Sequence, residues 1–521
     1  MGVTSIQSPI RVAFVPGHLT GLAGRIGITI GPGKCDGRWQ RDLDEDLRRL
    51  REVHRIDHLI SLMQPDERGR LGMAALPERT ASFGLVFREL PVADASVPAS
   101  RSDLDELVRA IIDSAAKGHN VAVHCRGGLG RSGMVVAACL RGRGLGAEQA
   151  VAAVRQVRPG AIETSEQLNL VHALPDAERP ALPVPFTRFE GCLLGGAIGD
   201  ALGYPVEFDN AHSIVTRWGP TAPAPLAYSD SPPALVSDDT QMTLFTAEGL
   251  IVADDPRDAL DRIEQAYLRW LATQVATSPP VGGWLTSVER LHARRAPGNT
   301  CLSALNARAR GSARFSVNAR ANDSKGCGAI MRSAPIGLAA ASRDVAFELG
   351  RDAGALTHGH PSGYLSAGYF AALIHDLSRG GELRGAMDAA DALLACEFSA
   401  EETQSFVARA KELSLGGPPS AADIESFGGG WTGESALAIA LSCALTSDAV
   451  AETLWRAVAH GGDSDSTGSL VGSLLGAAHG TTALPARWLD EVELREVIET
   501  LAGDLFDRSV LGARMGRDRY G

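Results

Sequence analysis

The chain has 521 residues, of which 45% are hydrophobic and 21% are charged. This composition is too apolar for a disordered chain, and the length suffices for two or three globular domains. No run of about 18 uncharged apolar residues occurs, and residues 1–11 lack the basic start and long apolar core of a signal peptide. We therefore expect a cytoplasmic protein without a membrane partner.

Charge is unevenly distributed along the chain. Residues 1–180 hold 23 Lys and Arg against 21 Asp and Glu, whereas residues 181–521 hold 27 against 41. This acidity disfavours a broad nucleic-acid surface in the second part, and it would also arise from carboxylates gathered around metal. The eight cysteines include no Cys-x-x-Cys pair, so neither a zinc site nor a disulfide framework is indicated.

The first third of the chain shows alternating α/β patterns. Apolar spacing predicts helices over 40–53, 102–115 (capped at Ser102), 131–142 and 147–157, and strands over 58–63 and 120–125. Four prolines within residues 174–185 predict a stiff, extended linker. We expect domains at 1–173 and 186–521 on either side of it.

The pattern after the linker is helical. Ala- and Leu-rich segments predict helices over 239–252, 256–273, 364–378, 434–447, 450–459 and 466–479, and no run of alternating strands appears. The fold class expected is therefore multidomain, with an N-terminal α/β sheet flanked by helices and a C-terminal all-α domain.

A short loop after the apolar run at 121–123 carries the sharpest chemical signal. His124 and Cys125 are followed by a glycine-rich stretch and then by Arg131 and Ser132 at the start of a helical pattern. Such a loop can turn successive backbone N–H groups toward one anion, and the helix N-terminus adds positive potential that favours a cysteine thiolate. Cys125 would then attack phosphorus, Arg131 would bind two phosphate oxygens, Ser132 would donate to the leaving sulfur and His124 would orient the loop. The alternative is a buried cysteine beside a glycine turn.

Phosphoryl transfer also needs a general acid. Asp94, on a loop upstream in the segment 89–98, is the best candidate. A lone aspartate is weak evidence, so a solvated turn residue or a helix cap is the competing interpretation.

Residues 20–172 resemble the dual-specificity branch of the protein tyrosine phosphatases, most closely the compact kind that acts on kinase-associated targets. The resemblance rests on the loop, on residues 32–35, on residues 90–98 and on residues 157–164 with Gln167. It implies phosphomonoester hydrolysis through a phosphocysteine intermediate, without a cofactor. The implied phosphate-binding loop residues are Arg126, Gly127, Gly128, Leu129 and Gly130. Phosphoprotein, nucleotide and RNA substrates are not distinguished.

Two carboxylate clusters stand far apart in the second part. Ser237, Asp238 and Asp239 precede one helical segment, and Asp463, Asp465 and Ser466 precede another. Carboxylate and hydroxyl oxygens match Mg²⁺ or Mn²⁺, and the two clusters together would hold a two-metal centre. Each cluster taken singly is more often a helix cap. Glycine pairs such as Gly195 and Gly196 permit either close approach of a ligand or tight packing of helices.

In order along the chain, the segments 195–203, 237–240, 297–300, 326–332, 357–361 and 462–467 resemble motifs of the ADP-ribosylglycohydrolase family, and the resemblance covers nearly all of residues 186–521. The resemblance implies an all-α dinuclear Mg²⁺ enzyme, with Mn²⁺ as an alternative, whose metal ligands are the six residues of the two clusters. Glu207 would lie near the ribose, and loop residues would hold the diphosphate and riboses: Gly298, Asn299, Gly326, Cys327, Gly328, Met331 and His358. The family often has Asn where Cys327 stands, and Thr where Ser237 and Ser466 stand.

The glycosidic bond would break through an oxocarbenium-like state, with Asp238, Asp239 or Glu207 as general base. We interpret the chain as a bifunctional hydrolase that acts on phosphorylated and ADP-ribosylated proteins, nucleotides or nucleic-acid ends. The alternative is an active phosphatase whose helical domain only binds ADP-ribose. A wholly non-catalytic binding protein is less consistent with the sequence, because Cys125, Arg131 and every carboxylate expected to bind metal are present.

Overall fold

The computed structural model describes residues 2–223, 226, 233–275, 282–447 and 449–520. It divides into two compact units, one comprising Met1–Pro183 with Val510–Gly521 and the other comprising Val184–Ser509. The multidomain fold class expected from the sequence is confirmed.

The first unit is a mixed sheet with helices around it. Its strands are β1 (Val3–Thr4), β2 (Val12–Phe14), β3 (Ile26–Thr29), β4 (Trp39–Gln40), β5 (Ile56–Ser61), β6 (Val86–Glu89) and β7 (Asn120–His124). Its helices are α1 (Gly17–Thr20), α2 (Leu43–Glu52), α3 (Pro65–Arg70), α4 (Leu76–Ser82), α5 (Arg101–Ala116), α6 (Gly130–Gly142), α7 (Ala147–Val157) and α8 (Ser165–His172).

Strand β7 lies at the centre of a five-stranded sheet of order β2-β3-β7-β5-β6. It runs parallel to β3 and β5, and the register places His124 beside Thr29 and Ser61. Alternation along β7 sends Val121 and Val123 into one hydrophobic cluster and Ala122 into the other. The loop that follows His124 therefore starts at the carboxyl edge of a buried parallel strand, where ligands of open α/β sheets bind.

Element boundaries in this unit differ from the sequence expectation by up to three residues, with the largest difference at α2, which begins at Leu43 and not at residue 40. The strand expected over 58–63 is β5, two residues earlier, and the cap expected at Ser102 is wrong. Ser100 is the N-cap of α5, because its Oγ accepts a hydrogen bond of 3.3 Å from the backbone N–H of Asp103. Ser102 lies inside the first turn of the helix.

Residues expected to form a linker lie within the first unit up to Pro183. Residues 175–182 have no helix or strand, which agrees with their proline content. The Arg141 guanidinium donates to the Leu174 carbonyl at 2.5 Å and pairs with Asp176 at 2.8 Å.

The second unit contains helices and isolated bridges in the part that the structure describes. Its helices are α9 (Phe186–Gly203), α10 (Ala211–Trp218), α11 (Asp238–Val252), α12 (Ala259–Val275), α13 (Asn299–Ala309), α14 (Ala334–Ala339), α15 (Arg343–Ala355), α16 (Pro361–Ser378), α17 (Leu383–Leu394), α18 (Glu401–Leu413), α19 (Ala421–Glu425), α20 (Gly433–Leu445), α21 (Val450–Val458), α22 (Ser464–His479), α23 (Ala486–Glu491) and α24 (Arg495–Ser509). A last short helix, α25 (Arg517–Tyr520), belongs to the first unit.

Helices α9 and α22 pack backbone against backbone. Glycines recur at every fourth position of α9, at 191, 195, 199 and 203, and these positions face residues 476, 472, 468 and 464 of α22. A Cβ atom on Gly199 would overlap the carbonyl oxygen of Gly468. Of the two interpretations of the glycine pair at 195 and 196, close approach of a ligand and tight packing of helices, the structure supports helix packing. The close approach also brings the end of α9 next to the start of α22.

Candidate functional site

The loop after β7 places Cys125 beneath the start of α6. Cys125 is buried, and its Sγ lies 3.4 Å from Ser132 Oγ, a distance at which the hydroxyl can donate to sulfur. His124 is also buried, with Nδ1 3.3 Å from the Cys125 carbonyl. Burial lowers the pKa of His124 to about 4, so the ring is neutral at physiological pH. His124 therefore contacts the Cys125 carbonyl as a neutral ring.

The loop carbonyls are held from outside by two cations. Lys34 Nζ donates to the Arg126 carbonyl at 3.1 Å, and Arg158 donates to the carbonyls of Gly127 and Gly128 at 2.9 and 2.8 Å. In a trans peptide the C=O and the following N–H point in opposite directions. The N–H groups of residues 127–129 therefore face the inside of the loop, as an oxyanion cradle requires.

Arg131 is only 2% exposed and is surrounded by acceptors. Its two terminal nitrogens bind both Glu67 oxygens at 2.7 and 2.9 Å, and Nη1 also donates to the Val92 carbonyl at 2.9 Å. Asp94 forms an ion pair of 2.9 Å with Nη2, although 64% of the Asp94 side chain is exposed. The bidentate Glu67 contact fixes the guanidinium plane, while Asp94 occupies the edge that opens to solvent.

A cavity of about 470 Å³ opens above Cys125. It is lined by Lys34, Asp36, Gly37, Arg38, Trp39, Asp94, Cys125, Arg126, Gly127 and Glu163. Gly130 lies behind Gly127 and Leu129, and its N–H donates to Glu163 Oε2 at 2.8 Å. The structure thus brings together every residue that the sequence singled out around the loop, with Arg126 3.7 Å from Asp36 at the rim.

Four positioning residues of this site were missed by sequence reasoning: Glu67, Lys34, Arg158 and Glu163. The last three lie in segments that support the phosphatase resemblance, so the signal was present but had no assigned role. Glu67 is 64 residues from Arg131 in the chain and is part of no motif. Only the fold reveals it.

The second unit gathers carboxylates from three parts of the chain. Ligand atoms of Glu207, Asp463 and Asp465 all lie within 4.8 Å of one another. Glu207 follows the one-turn helix after α9, and Asp463 caps α22, so the tight α9–α22 packing is what brings these acids together. Glu207, expected near the ribose, is therefore also part of the potential metal-binding group.

The turn at 237–240 is held by an acid that the sequence did not single out. Asp200, on α9, accepts hydrogen bonds from the N–H groups of Ser237 at 3.0 Å and Thr240 at 3.1 Å. The Ser237 hydroxyl accepts from the Asp239 N–H at 3.2 Å, and Asp238 Oδ2 accepts from the Gly298 N–H at 3.4 Å. Ser237 and both aspartates are buried at the start of α11.

These buried acids repel one another. Burial, reinforced by the charge of Asp465, raises the pKa of Glu207 to about 8 and that of Asp200 to about 7. The same two causes raise the pKa values of Asp238, Asp239 and Asp463. Glu207 Oε2 and Asp239 Oδ2 have no hydrogen-bond partner among the described residues. A divalent cation fits this site, because it would neutralise the acids and use the unpaired oxygens.

The predicted substrate loops converge on the same region to different degrees. Cys327 Sγ lies 2.7 Å from Asp463 Oδ2 and 3.7 Å from Ser466 Oγ. His358 is buried against Gly326 and Gly328, whose Cβ atoms, if present, would lie 3.2 and 3.0 Å from its ring. Burial and Arg332 lower the pKa of His358 to about 3, which leaves it neutral.

The remaining two loops behave differently. Gly298 and Asn299 are exposed at the start of α13, where they are accessible to a ligand. Met331 is buried, and its carbonyl accepts a hydrogen bond of 3.2 Å from Thr243. Met331 therefore presents little side-chain surface to a substrate.

Comparison with known proteins agrees with this division. Residues 181–513 match the family model described as ADP-ribosylglycohydrolase, and residues 35–144 match the one described as polymorphic toxin system, DSP-PTPase phosphatase. The ADP-ribosyl-[dinitrogen reductase] glycohydrolase of Rhodospirillum rubrum is 27% identical over 326 residues, or 60% of this chain and 92% of that protein. Cyclin-dependent kinase inhibitor 3 of Rattus norvegicus is 26% identical over 174 residues, or 33% of this chain and 81% of that protein. A solved ADP-ribosylglycohydrolase-related protein complex is 26% identical and covers 62% of this chain and 98% of its own, with a TM-score of 0.44.

Fold and sites together define a two-domain protein assembled from hydrolase families. The chain belongs to the ADP-ribosylglycohydrolase family, whose model spans more than half of it, and its N-terminal domain is a dual-specificity phosphatase-like domain. The ADP-ribosylglycohydrolase family is generally metal-dependent. None of the helices in the described ranges has both the length and the apolar character needed to span a bilayer.

Proposed function

We propose that this protein is a bifunctional hydrolase, which removes phosphate through Cys125 and cleaves an ADP-ribosyl glycosidic bond at a metal centre in the second unit. One observation supports both activities: each unit brings charged groups from distant parts of the chain together. Arg131 lies beside the Cys125 loop, and Glu207 lies with Asp463 and Asp465. The substrates would be phosphorylated and ADP-ribosylated molecules.

In the first unit, the Cys125 thiolate attacks phosphorus and the bond to the leaving oxygen breaks. Arg131 binds two phosphate oxygens at the edge where Asp94 now pairs with it. The freed Asp94 carboxylate takes up a proton from solvent and gives that proton to the leaving oxygen. Water then attacks the phosphocysteine, Asp94 takes up the proton of that water, and the sulfur leaves with a hydrogen bond from Ser132. Glu67 keeps the guanidinium in place throughout.

In the second unit, six residues would hold two Mg²⁺ ions or, alternatively, Mn²⁺: Ser237, Asp238, Asp239, Asp463, Asp465 and Ser466. When bound, the ions supply positive charge that orients ribose hydroxyls and a water molecule. Glu207 presents a buried carboxyl group on the same point and can exchange a proton with that water. Asp238 and Asp239 remain alternative bases. The loops at Gly298, Gly326 and His358 would hold the diphosphate and riboses.

The test is a panel of phosphorylated and ADP-ribosylated peptides, nucleotides and nucleic-acid ends, assayed with two single variants of the full chain. We expect Cys125→Ser to abolish phosphate release and to leave ADP-ribose release intact. We expect Asp239→Asn to abolish ADP-ribose release and to leave phosphate release intact. The activity that each variant retains shows that the protein is folded. If ADP-ribose raises the unfolding temperature but no ADP-ribosylated substrate is cleaved, the second unit is a binding module and the bifunctional proposal is wrong.

A further inference from the structure

The thiol of Cys327 lies among the oxygen atoms expected to bind metal. Its Sγ is 2.7 Å from Asp463 Oδ2 and 3.7 Å from Ser466 Oγ, and both of these residues are in the proposed ligand set. Two atoms that share one ion as ligands lie roughly 3 to 3.6 Å apart, given metal–sulfur and metal–oxygen distances of about 2.3 and 2.1 Å. The sulfur therefore needs to move by less than about 1 Å from Asp463 to join the same coordination sphere.

Main-chain contacts hold the backbone of Cys327 in place. Cys327 begins a one-turn helix at Cys327–Ala329, and its N–H donates to the Trp431 carbonyl at 3.3 Å. The preceding residue, Gly326, forms an antiparallel bridge with Thr432. Because these bonds hold the main chain at residues 326 and 327, the Cα atom of Cys327 is placed near Asp463 independently of any ligand.

An independent observation points to a cation at the same place. Glu207 and Asp239 are both more than nine-tenths buried, and each keeps one carboxylate oxygen without a hydrogen-bond partner among the described residues. Glu207 has its ligand atom within 4.8 Å of that of Asp463, the residue that Cys327 contacts. Cys327 thus contacts a carboxylate that is itself close to the partly unpaired Glu207.

We propose that Cys327 is a direct metal ligand, and that it biases this centre toward thiophilic divalent ions such as Co²⁺ and Zn²⁺ and away from Mg²⁺. This inference rests on the proposed function of the second unit, but it changes the role of Cys327 from substrate contact to ligand. A sulfur donor favours the softer first-row metals, whereas Mg²⁺ demands oxygen ligands in near-octahedral geometry. On binding, the thiol releases its proton to solvent and the sulfur binds as thiolate.

The experiment follows Co²⁺ binding to the full chain in a Cys125→Ser background, by near-ultraviolet absorption and by calorimetry. We expect a sulfur-to-cobalt charge-transfer band that saturates with the calorimetric binding. Cys327→Ser should abolish the band, weaken Co²⁺ binding by at least about tenfold and spare Mg²⁺ binding, because even supporting residues of metal sites change affinity by about 10–100-fold. Cys396→Ser, which removes an exposed cysteine on another part of the surface, is the matched control and should keep the band.

The outcomes separate the two proposals. If Co²⁺ binds without the band, or if the band survives Cys327→Ser, Cys327 is not a ligand while the proposed metal centre stands. If Co²⁺, Mn²⁺ and Mg²⁺ all fail to bind the parent protein, both proposals fail. A lower unfolding temperature would reveal a folding defect in Cys327→Ser. In that case Cys327→Asn serves as the second variant, and it should also lose the band.

Discussion

The α9–α22 contact makes a sharp prediction about stability. Replacing Gly199 with Ala places a Cβ atom against the Gly468 carbonyl, and neither backbone can yield without separating the helices. Overpacking of this kind costs about 1–3 kcal/mol, and helix propensity returns only about 0.5–1 kcal/mol. We therefore expect the second unit to lose up to about 2 kcal/mol of unfolding free energy, measured by urea titration. Six of the seven tryptophans belong to this unit, so intrinsic fluorescence reports mainly on it.

Gly503→Ala is the matched control for this substitution. Gly503 lies inside α24, and a Cβ atom there would meet no described atom within 4 Å. The same chemical change should therefore stabilise the unit by about 0.5–1 kcal/mol through helix propensity alone. If Gly199→Ala were as stable as Gly503→Ala, the two helices would not be in backbone contact, and our explanation of how Glu207 reaches Asp463 would be refuted.

Three further measurements test the sites. Glu67→Gln should lower kcat/KM for phosphate release by about 10- to 100-fold, since Arg131 loses its orientation; unchanged steady-state kinetics would exclude a positioning role. The raised pKa of Glu207 means that the folded state favours the protonated carboxyl group, so metal-free protein should lose stability as the pH rises from about 4.5 to about 8. Thermal unfolding should show that Mg²⁺ or Mn²⁺ reverses this loss, and a pH-independent unfolding temperature would contradict the prediction. Asp200→Asn should weaken metal binding by about 10–100-fold in calorimetry, because Asp200 holds the turn that carries Asp238; wild-type affinity would show that the turn is held by other contacts.

Local motifs were the part of this protein that the sequence could predict. The Cys125 loop is contiguous, so its residue types, spacing and preceding strand are all visible in one short segment. The two carboxylate clusters are likewise contiguous, and each begins a helix as expected. Helix and strand existence followed from apolar periodicity, whereas the two-residue error at Ser102 arose because Ser100 is an equally good cap.

Long-range partners could not be predicted in the same way. Glu67 meets Arg131, and Asp200 meets Ser237, only because elements distant in the chain fold together. The fourfold spacing of glycines in α9 was visible, but a packing surface needs a partner, and the matching positions on α22 lie at the other end of the domain. Sequence reasoning therefore left Gly195 and Gly196 undecided between ligand binding and packing.

The two centres solve the problem of buried charge in opposite ways. Arg131 is neutralised by the chain itself, since Glu67 and Asp94 pair with it, so the first unit gains no net buried charge and can exchange Asp94 for a phosphate oxygen at little cost. Among the described residues, the acids around Asp463 have no comparable basic partner, and burial together with mutual repulsion raises their pKa values. On the proposed function, a phosphate ligand would replace an existing ion pair in the first unit, whereas a cation in the second unit would compete with protons. It follows that the stability of the second unit should be coupled to both metal and pH.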